Sequence, residues 1–499
     1  MSLVQPRREF GDFQTPDSLA ANCVAKLSTL GANPRSIVEP TCGRGSFLAA
    51  AARQFPDSAS LFGLEIDPGY ASEAKLRLSE FTGAEIAVAD FFDFGWSNLI
   101  ARLQKPLLVV GNPPWITSAE LGTLGSRNLP AKQALPGSKG IDSVTGKANF
   151  DISEWMIQRN LEWLTTDGDT LAVLCKTVVA RKTLATAWKQ GRSFSSARMY
   201  LIDAKREFDA SVDACLLVLS VGAPNLKQAK ECDVYQSLDS EVPVQTIAWR
   251  RGRLVADARL YDANAEWLSV GADVDWRSGI KHDCSRIMEL EVEGESLRNS
   301  TGEFVDVEPD LLYPMLKSSE VHRGLRSPGK LMLVPQRAVG ESTSWIRTEL
   351  PRTWAYLEAH ADAFDGRRSA IYAKGPRFSI FGVGPYSFTD WKIAISALYK
   401  DLAFQMYGPR EGRPIVFDDT VNLLACDSED VAQGLIRTIN SPPAQELFQA
   451  LVFWDNKRPL SVDVLRNVDL WSLGCALGYL DQARSRLVPK HRSKQASLF

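Results

Sequence analysis

Short apolar runs alternate with helix-periodic segments along the chain as far as Gly222. Ile37-Val38, Leu61 to Asp67, Glu85 to Ala89, Leu107-Leu108-Val109-Val110, Thr170 to Cys175, Met199 to Ile202 and Cys215 to Leu219 are rich in branched and aromatic residues, and each is bounded by turn formers. Such runs predict buried strands. Between them, Leu19, Cys23, Val24 and Leu27 recur at helical spacing, an Ala-rich segment runs to Arg53, and Phe150 to Leu164 and Val178 to Lys189 continue the pattern. Thr15-Pro16-Asp17 predicts a helix start, with Thr15 as N-cap and Pro16 at the first helical position. Strand–helix alternation of this kind predicts a doubly wound, Rossmann-like α/β domain over residues 1–222.

The rhythm stops there. Residues 223–245 look like a linker, and 246–483 show no βα alternation, which predicts a C-terminal α+β domain. It carries basic side chains among aromatics: Trp276-Arg277-Ser278-Gly279-Ile280-Lys281-His282, Tyr313-Pro314-Met315-Leu316-Lys317, Gly366-Arg367-Arg368, and Phe378 through Gly382 and Gly384 to Phe388. That mixture suits DNA backbone and base contacts, and equally an ordinary β-rich surface and core. Residues 484–499 form a basic tail. At 499 residues the chain has room for two or three domains.

Composition narrows the class. Hydrophobic content of 45% and charged content of 23% are those of a soluble protein. No apolar run is long enough for a membrane span, and the N-terminus has no signal-peptide pattern. Eight cysteines without a CxxC pair make no disulfide framework and fit a reducing cytoplasm. The four scattered histidines include only His282 with a nearby cysteine, Cys284, too few ligands for zinc, so no metal is expected. A net charge of −3 argues against a wholly basic nucleic-acid binder but leaves room for a local basic cleft.

Candidate chemistry gathers where strands end. Leu107 to Val110 run into Gly111-Asn112-Pro113-Pro114-Trp115, where two prolines stop any helix. Open α/β sheets place ligands at the carboxyl ends of their strands. There Asn112 offers an amide, Pro113 a carbonyl not committed to a helix, and Trp115 a flat apolar face; two acceptors beside an aromatic plate can hold the exocyclic amino group of a nucleobase. An ordinary strand exit with a proline turn accounts for the tetrapeptide equally well by itself. After the first strand, Glu39-Pro40-Thr41-Cys42-Gly43-Arg44-Gly45 forms a glycine turn that permits close backbone approach to a ligand. Leu48 stands where a dinucleotide fingerprint has its third glycine. Glu65-Ile66-Asp67 follows about 20 residues on, the spacing at which an acid meets ribose hydroxyls. Asp90-Phe91 suits an adenine ring, although Phe91 and Phe92 suit a core as well. The polar stretch from Ile116 to Asn149, with Arg127, Lys132, Lys139 and Lys147, has the composition of a basic lid.

Taken in order, these motifs resemble the S-adenosylmethionine-dependent amino-methyltransferases, specifically the DNA adenine-N6 methyltransferases of the gamma group. Phe13-Gln14-Thr15-Pro16 looks like their leading motif, Glu39 to Phe47 like the glycine motif, Gly63 to Asp67 like the ribose-binding strand, and Asn112-Pro113-Pro114-Trp115 like the (N/D)PP(Y/F/W) tetrapeptide. The resemblance covers about residues 9 to 221, and extends less sharply to segments around Gly279-Ile280-Lys281, Tyr313-Pro314 and Phe381 to Gly384. It departs at Cys42, where Ala or Gly is commoner, and at Lys176, where proline often follows the fifth strand. It implies that Thr15 meets the methionine carboxylate and that the loop with Glu39, Thr41, Gly43 and Gly45 meets the methionine moiety. Glu65 with Ile66 would meet the ribose, and Asp90 with Phe91 the adenine of S-adenosylmethionine. Asn112, Pro113, Pro114 and Trp115 would hold a target adenine extruded from double-stranded DNA, with Asn112 also bordering the cofactor and Phe208 against the base. Residues 246–483 would recognise the target sequence. A separate restriction endonuclease is the implied partner, since no nuclease motif stands out in the chain.

Three other readings compete. A nicotinamide oxidoreductase shares the strand–glycine–acid pattern but leaves the tetrapeptide unexplained. An RNA or protein-glutamine methyltransferase can use the same tetrapeptide. A noncatalytic DNA-binding protein can retain the fold.

Overall fold

In a computed structural model that describes residues 13–116, 151–223, 230–269 and 274–481, the branched runs become strands. They are β1 (Ser36–Glu39), β2 (Ser60–Glu65), β3 (Ala84–Val88), β4 (Leu107–Gly111), β5 (Thr170–Lys176), β6 (Ser196–Ile202) and β7 (Ala214–Ser220). Helices intervene: α1 (Asp17–Thr29), α2 (Ser46–Gln54), α3 (Pro68–Arg77), α4 (Trp96–Arg102), α5 (Ile152–Glu162), α6 (Thr177–Lys189) and α7 (Ala204–Phe208). β1 and β4 are buried along their whole length, as strands covered on both faces must be. With three further strands, β8 (Glu231–Tyr235), β9 (Gln245–Arg250) and β10 (Arg253–Val255), the strand order is β10-β9-β8-β6-β7-β5-β4-β1-β2-β3. Neighbours from β5 through β3 run parallel, and β7 lies antiparallel between β5 and β6. The expected α/β fold is present, as a mixed sheet.

Two details differ from the sequence expectation. The first helix begins at Asp17 with Pro16 in the N-cap position, extended at ψ 140°, and no side chain caps it. Thr15 therefore stands one residue outside the helix cap. Residues expected as a linker and as the start of the second domain instead extend the sheet: β8 (Glu231–Tyr235) lies within the expected linker, and β9 (Gln245–Arg250) and β10 (Arg253–Val255) follow it outward from β6. The chain divides into two compact units, residues 1–259 and 260–499. A polar turn between β8 and β9 resembles linker composition, and composition cannot distinguish a connector from a short edge hairpin.

The second unit is α+β. One sheet has the order β11-β20-β17-β18, from Arg277–Ser278, Val421–Cys426, Trp391–Ser396 and Gln405–Tyr407; the other has β14-β13-β12-β16-β15-β19, from Phe304–Val305, Ser296–Asn299, Glu289–Glu293, Lys330–Leu333, Leu312–Leu316 and Val416–Phe417. Two segments singled out in the sequence meet here as a backbone crossing. Lys281 and Phe381 exchange N–H···O bonds of 2.8 and 2.9 Å, and Ile280 N donates to Phe417 O at 2.7 Å. A Cβ on Gly279 would lie 2.2 Å from Asp418 O, and one on Gly382 would lie 2.3 Å from Gly279 O. These glycines are there because the chains touch.

The proposed lid over Ile116 to Asn149 (beyond Ile116), the N-terminal turn Glu9 to Asp12 and the basic tail lie outside the described residues.

Candidate active site

Strand order reverses at β1, with β2 on one side and β4 on the other. That is where a doubly wound sheet opens a crevice beyond its carboxyl ends. Glu39 closes β1 there, only 2% exposed, and its Oε2 accepts the Leu48 N–H at 3.2 Å. Burial drives its carboxyl well above the ordinary glutamate range, with the nearby Glu65 adding to the rise. Gly111, at φ +150°, ends β4 alongside; a Cβ on it would meet Glu39 Cγ at 3.1 Å.

The glycine turn follows. Gly43 and Gly45 adopt φ of +51° and +80°, the left-handed region that suits glycine. Gly43 N–H donates to Glu65 Oε2 at 2.8 Å, and Asp67 N–H donates to Glu65 Oε1 at 2.9 Å. The acid at the end of β2 is thus locked against the glycine turn. Each oxygen retains a lone pair for a further donor. Burial raises the Glu65 carboxyl, opposed by these backbone bonds. Thr41 is half-buried in the same turn, and Ile66 is exposed at the strand end.

Asp90 Oδ1 accepts the Phe92 N–H at 2.8 Å. Phe91 is buried among Phe92, Trp96, Trp155 and Trp163 rings, at centroid distances of 5.2 to 6.4 Å. The core reading of Phe91 is therefore the one its packing supports.

At the tetrapeptide, Asn112 Nδ2 donates to Phe13 O at 2.9 Å, whereas its buried Oδ1 has no partner among the described residues. Because the NH2 end is committed, the oxygen is the end left for a donor. Trp115 is buried, its indole N–H also without a partner. Its ring lies 5.5 Å from Phe13 and 5.2 Å from Phe208 between centroids, and Phe13 lies 6.1 Å from Phe208. Residues distant in sequence thus form one aromatic wall. Pro113 is buried and Pro114 half-buried.

Sequence reasoning passed over three contributors. Phe13 supplies both the carbonyl that orients Asn112 and a ring of the wall. Gln14 Oε1 accepts the Arg44 N–H at 3.2 Å, and a Cβ on Gly43 would lie 2.5 Å from that same oxygen. Lys176 Nζ reaches Trp115 O at 3.2 Å and Asp151 Oδ2 at 2.8 Å. Phe13 and Gln14 stood inside a noted motif, and Lys176 was visible as a departure, but a backbone carbonyl used as a partner leaves no trace in a side-chain pattern.

No protein-family model matches the chain. A type II methyltransferase, M.NspV, from Nostoc sp. (strain ATCC 29411 / PCC 7524) is 39% identical over 475 residues, 94% of this chain and 98% of its own. The chain belongs to the type II methyltransferase family. A second type II methyltransferase, M.CvrRI from Paramecium bursaria Chlorella virus XZ-6E, is 32% identical over 111 residues, covering 22% of this chain and 26% of its own. Among solved structures, the type IIL restriction-modification enzyme MmeI in complex with DNA superposes with a TM-score of 0.54 at 13% identity. That match covers 90% of this chain and 64% of MmeI, and it shows a shared fold.

The methyl donor of this type II methyltransferase is S-adenosylmethionine, and the crevice fits it. A glycine turn with left-handed backbone, a fixed carboxylate on β2 and an acceptor at Asp90 line the ends of three adjacent strands. No group of three or more His, Cys, Asp or Glu that could hold a metal occurs among the described residues. No described helix is long and apolar enough to cross a membrane.

Proposed function

We propose that this DNA methyltransferase methylates the N6 amino group of adenine in double-stranded DNA, on a base extruded from the helix, as the modification component of a restriction-modification system. The orientation of Asn112 carries the proposal: its NH2 is held by Phe13 O, and its buried oxygen has no partner among the described residues. A buried acceptor without a donor costs on the order of 1–3 kcal/mol, and an amino group on a substrate removes that cost.

The chemistry follows from the acceptors. An adenine amino lone pair is delocalised into the ring and attacks poorly. Hydrogen bonds from its two N–H groups to Asn112 Oδ1 and the Pro113 carbonyl favour the pyramidal nitrogen and aim its lone pair out of the ring plane. When bound, S-adenosylmethionine supplies an electrophilic methyl group. The wall of Trp115, Phe208 and Phe13 receives the base face, which offsets part of the cost of unstacking. Pro114 fixes the turn. In this reading Thr15 with Glu39, Thr41, Gly43 and Gly45 holds the methionine part, Glu65 and Ile66 the ribose, and Asp90 with the Phe91 backbone the adenine of the cofactor. Residues 260–481 select the sequence, and a separate endonuclease reads the unmodified site.

Nucleoside mass spectrometry of DNA treated with the enzyme and isotopically labelled cofactor tests the reading. Labelled N6-methyladenine is expected. Label found only in N4-methylcytosine, or in RNA or protein offered in parallel, overturns it.

A further inference from the structure

We infer that Lys176 is a positioning residue for methyl transfer, holding the Trp115 backbone in place by tying it to Asp151. The inference rests on the catalytic assignment of the tetrapeptide above. Lys176 ends β5, the strand parallel to β4, so its side chain arises beside the exit of the strand that carries Asn112. Nζ donates to Trp115 O at 3.2 Å and to Asp151 Oδ2 at 2.8 Å, with the lysine side chain 20% and the aspartate side chain 9% exposed. A second bond runs in parallel, Ile152 N–H to Ile116 O at 3.0 Å. Asp151 is itself fixed, because its Oδ1 accepts the Ser153 N–H at 3.1 Å as the N-cap of α5.

The consequences are mechanical. Prolines 113 and 114 contribute no N–H groups, so the tetrapeptide cannot be anchored by its own backbone donors there. Among the described residues, the Asn112 bond to Phe13 O holds one end and the Lys176 bond to Trp115 O the other, beside the packing of the Trp115 ring on Phe13 and Phe208. The carbonyl of Pro113 and the ring of Trp115 lie within the second restraint. Displacement of a reacting group by about 1 Å can cost ~100-fold in rate. An ammonium on a carbonyl and a carboxylate, both largely out of water, is a stiff restraint.

A double-mutant cycle on methyl transfer tests this in the full-length enzyme with a DNA substrate. Lys176→Met should slow single-turnover methylation by about 10-fold or more, leave S-adenosylmethionine affinity within about twofold, and be partly rescued in Lys176→Arg. In a Trp115→Ala background the same change should cost less than in the wild type, because the ring is gone and only the Pro113 carbonyl is left to position. A purely structural ion pair would instead multiply the Trp115→Ala penalty, and that result, or a wild-type rate in Lys176→Met, overturns the inference. Should Lys176→Met not fold, Asp151→Asn keeps the α5 cap, removes the charge that holds the ammonium, and enters the same cycle under the same criteria. The rate is read on whichever base is modified. A cytosine product therefore overturns the adenine reading and leaves the clamp standing, whereas multiplicative penalties remove the clamp and leave the adenine reading intact.

Discussion

At the scale of single residues, the proposed function assigns binding to the acids at strand ends and chemistry to the acceptors of the tetrapeptide. Asn112→Ala deletes the proposed acceptor, and loss of one group aimed at a reacting centre typically costs ~10²–10³ in rate. Methyl transfer should collapse by that factor in single-turnover assays while calorimetry shows cofactor binding retained. Trp115→Ala removes a face of the base pocket, worth roughly 1–3 kcal/mol of stacking. It should change the signal of a fluorescent base analogue at the target and slow turnover together. A wild-type rate in Asn112→Ala would reduce the tetrapeptide to a turn. Glu39 makes a different prediction. Burial raises its folded-state pKa, so as pH climbs the unfolded chain sheds the proton first and the folded state binds more protons. Stability therefore falls as pH rises from the ordinary glutamate pKa toward the raised one. Glu39→Gln keeps an oxygen for the Leu48 N–H and removes that slope, which is about 1.4 kcal/mol for each unit of pKa difference. The variant should melt higher than wild type at neutral pH without cofactor, yet bind S-adenosylmethionine less tightly. An unchanged slope of melting temperature against pH would show that Glu39 ionises at no cost. The strand-end placement of Asn112, Glu39 and Glu65 was legible because acids and amides that follow apolar runs are conspicuous. Phe13 and Lys176 were not, because Phe13 acts through its own backbone carbonyl and Lys176 reaches the carbonyl of Trp115, contacts between residues far apart in sequence.

At the scale of elements, strands β1 to β7 and helices α1, α2, α5 and α6 were legible, because strands inside a covered sheet are apolar runs and those helices carry a 3.6-residue period. Helices α3 and α4 were not named, since they bury only Ala71 and Ala74, and Leu99, respectively. Capping was less legible. A Thr-Pro-Asp start fits two registers, and the extended Pro16 places the helix start at Asp17, which sets its carboxylate against Arg77 and Ser46. The segments around Gly279 and Gly382 in the second unit were noted for a likeness to a target-recognition region and equally as ordinary β-rich surface and core, and their glycines mark a backbone crossing. Gly279→Ala would drive a Cβ to 2.2 Å and 2.4 Å from the Asp418 and Phe417 carbonyl oxygens, groups that cannot swing away as a side-chain tip can. Overpacking of this kind usually costs about 1–3 kcal/mol and here displaces the hydrogen bonds that join Ile280 to Phe417 and Lys281 to Phe381. Denaturant unfolding should show that loss with cofactor affinity unchanged, since the glycine turn at Gly43 lies in the other unit. A midpoint equal to wild type would mean the crossing relaxes freely.

At the scale of the whole molecule, the division that matters for dissecting function falls at Arg259 and Leu260, past the point where the sequence rhythm stops. β8 pairs with β6 in the register Arg198 to Asp233, Met199 to Val234 and Tyr200 to Tyr235, and the Tyr200 and Tyr235 rings stack 4.7 Å apart. Tyr235 and Leu238 belong to the same buried core as Leu48, Val110 and Trp115. Ending the chain at Gly222 would strip that edge, exposing the unpaired N–H and C=O groups of β6 together with Tyr200, which invites aggregation. A chain ending at Arg259 keeps β8 to β10 and the core they cover. Residues 1–259 should therefore be soluble and bind S-adenosylmethionine with affinity close to that of the full chain, whereas residues 1–222 should aggregate or bind weakly. The longer fragment should also lose site-specific methylation, because the proposed sequence reader is the second unit. Calorimetry and sequencing of methylated DNA check the two halves of this prediction separately. Equal solubility and affinity for residues 1–222 would make the β8–β10 edge dispensable, and methylation of a single defined site by residues 1–259 would move recognition into the catalytic unit.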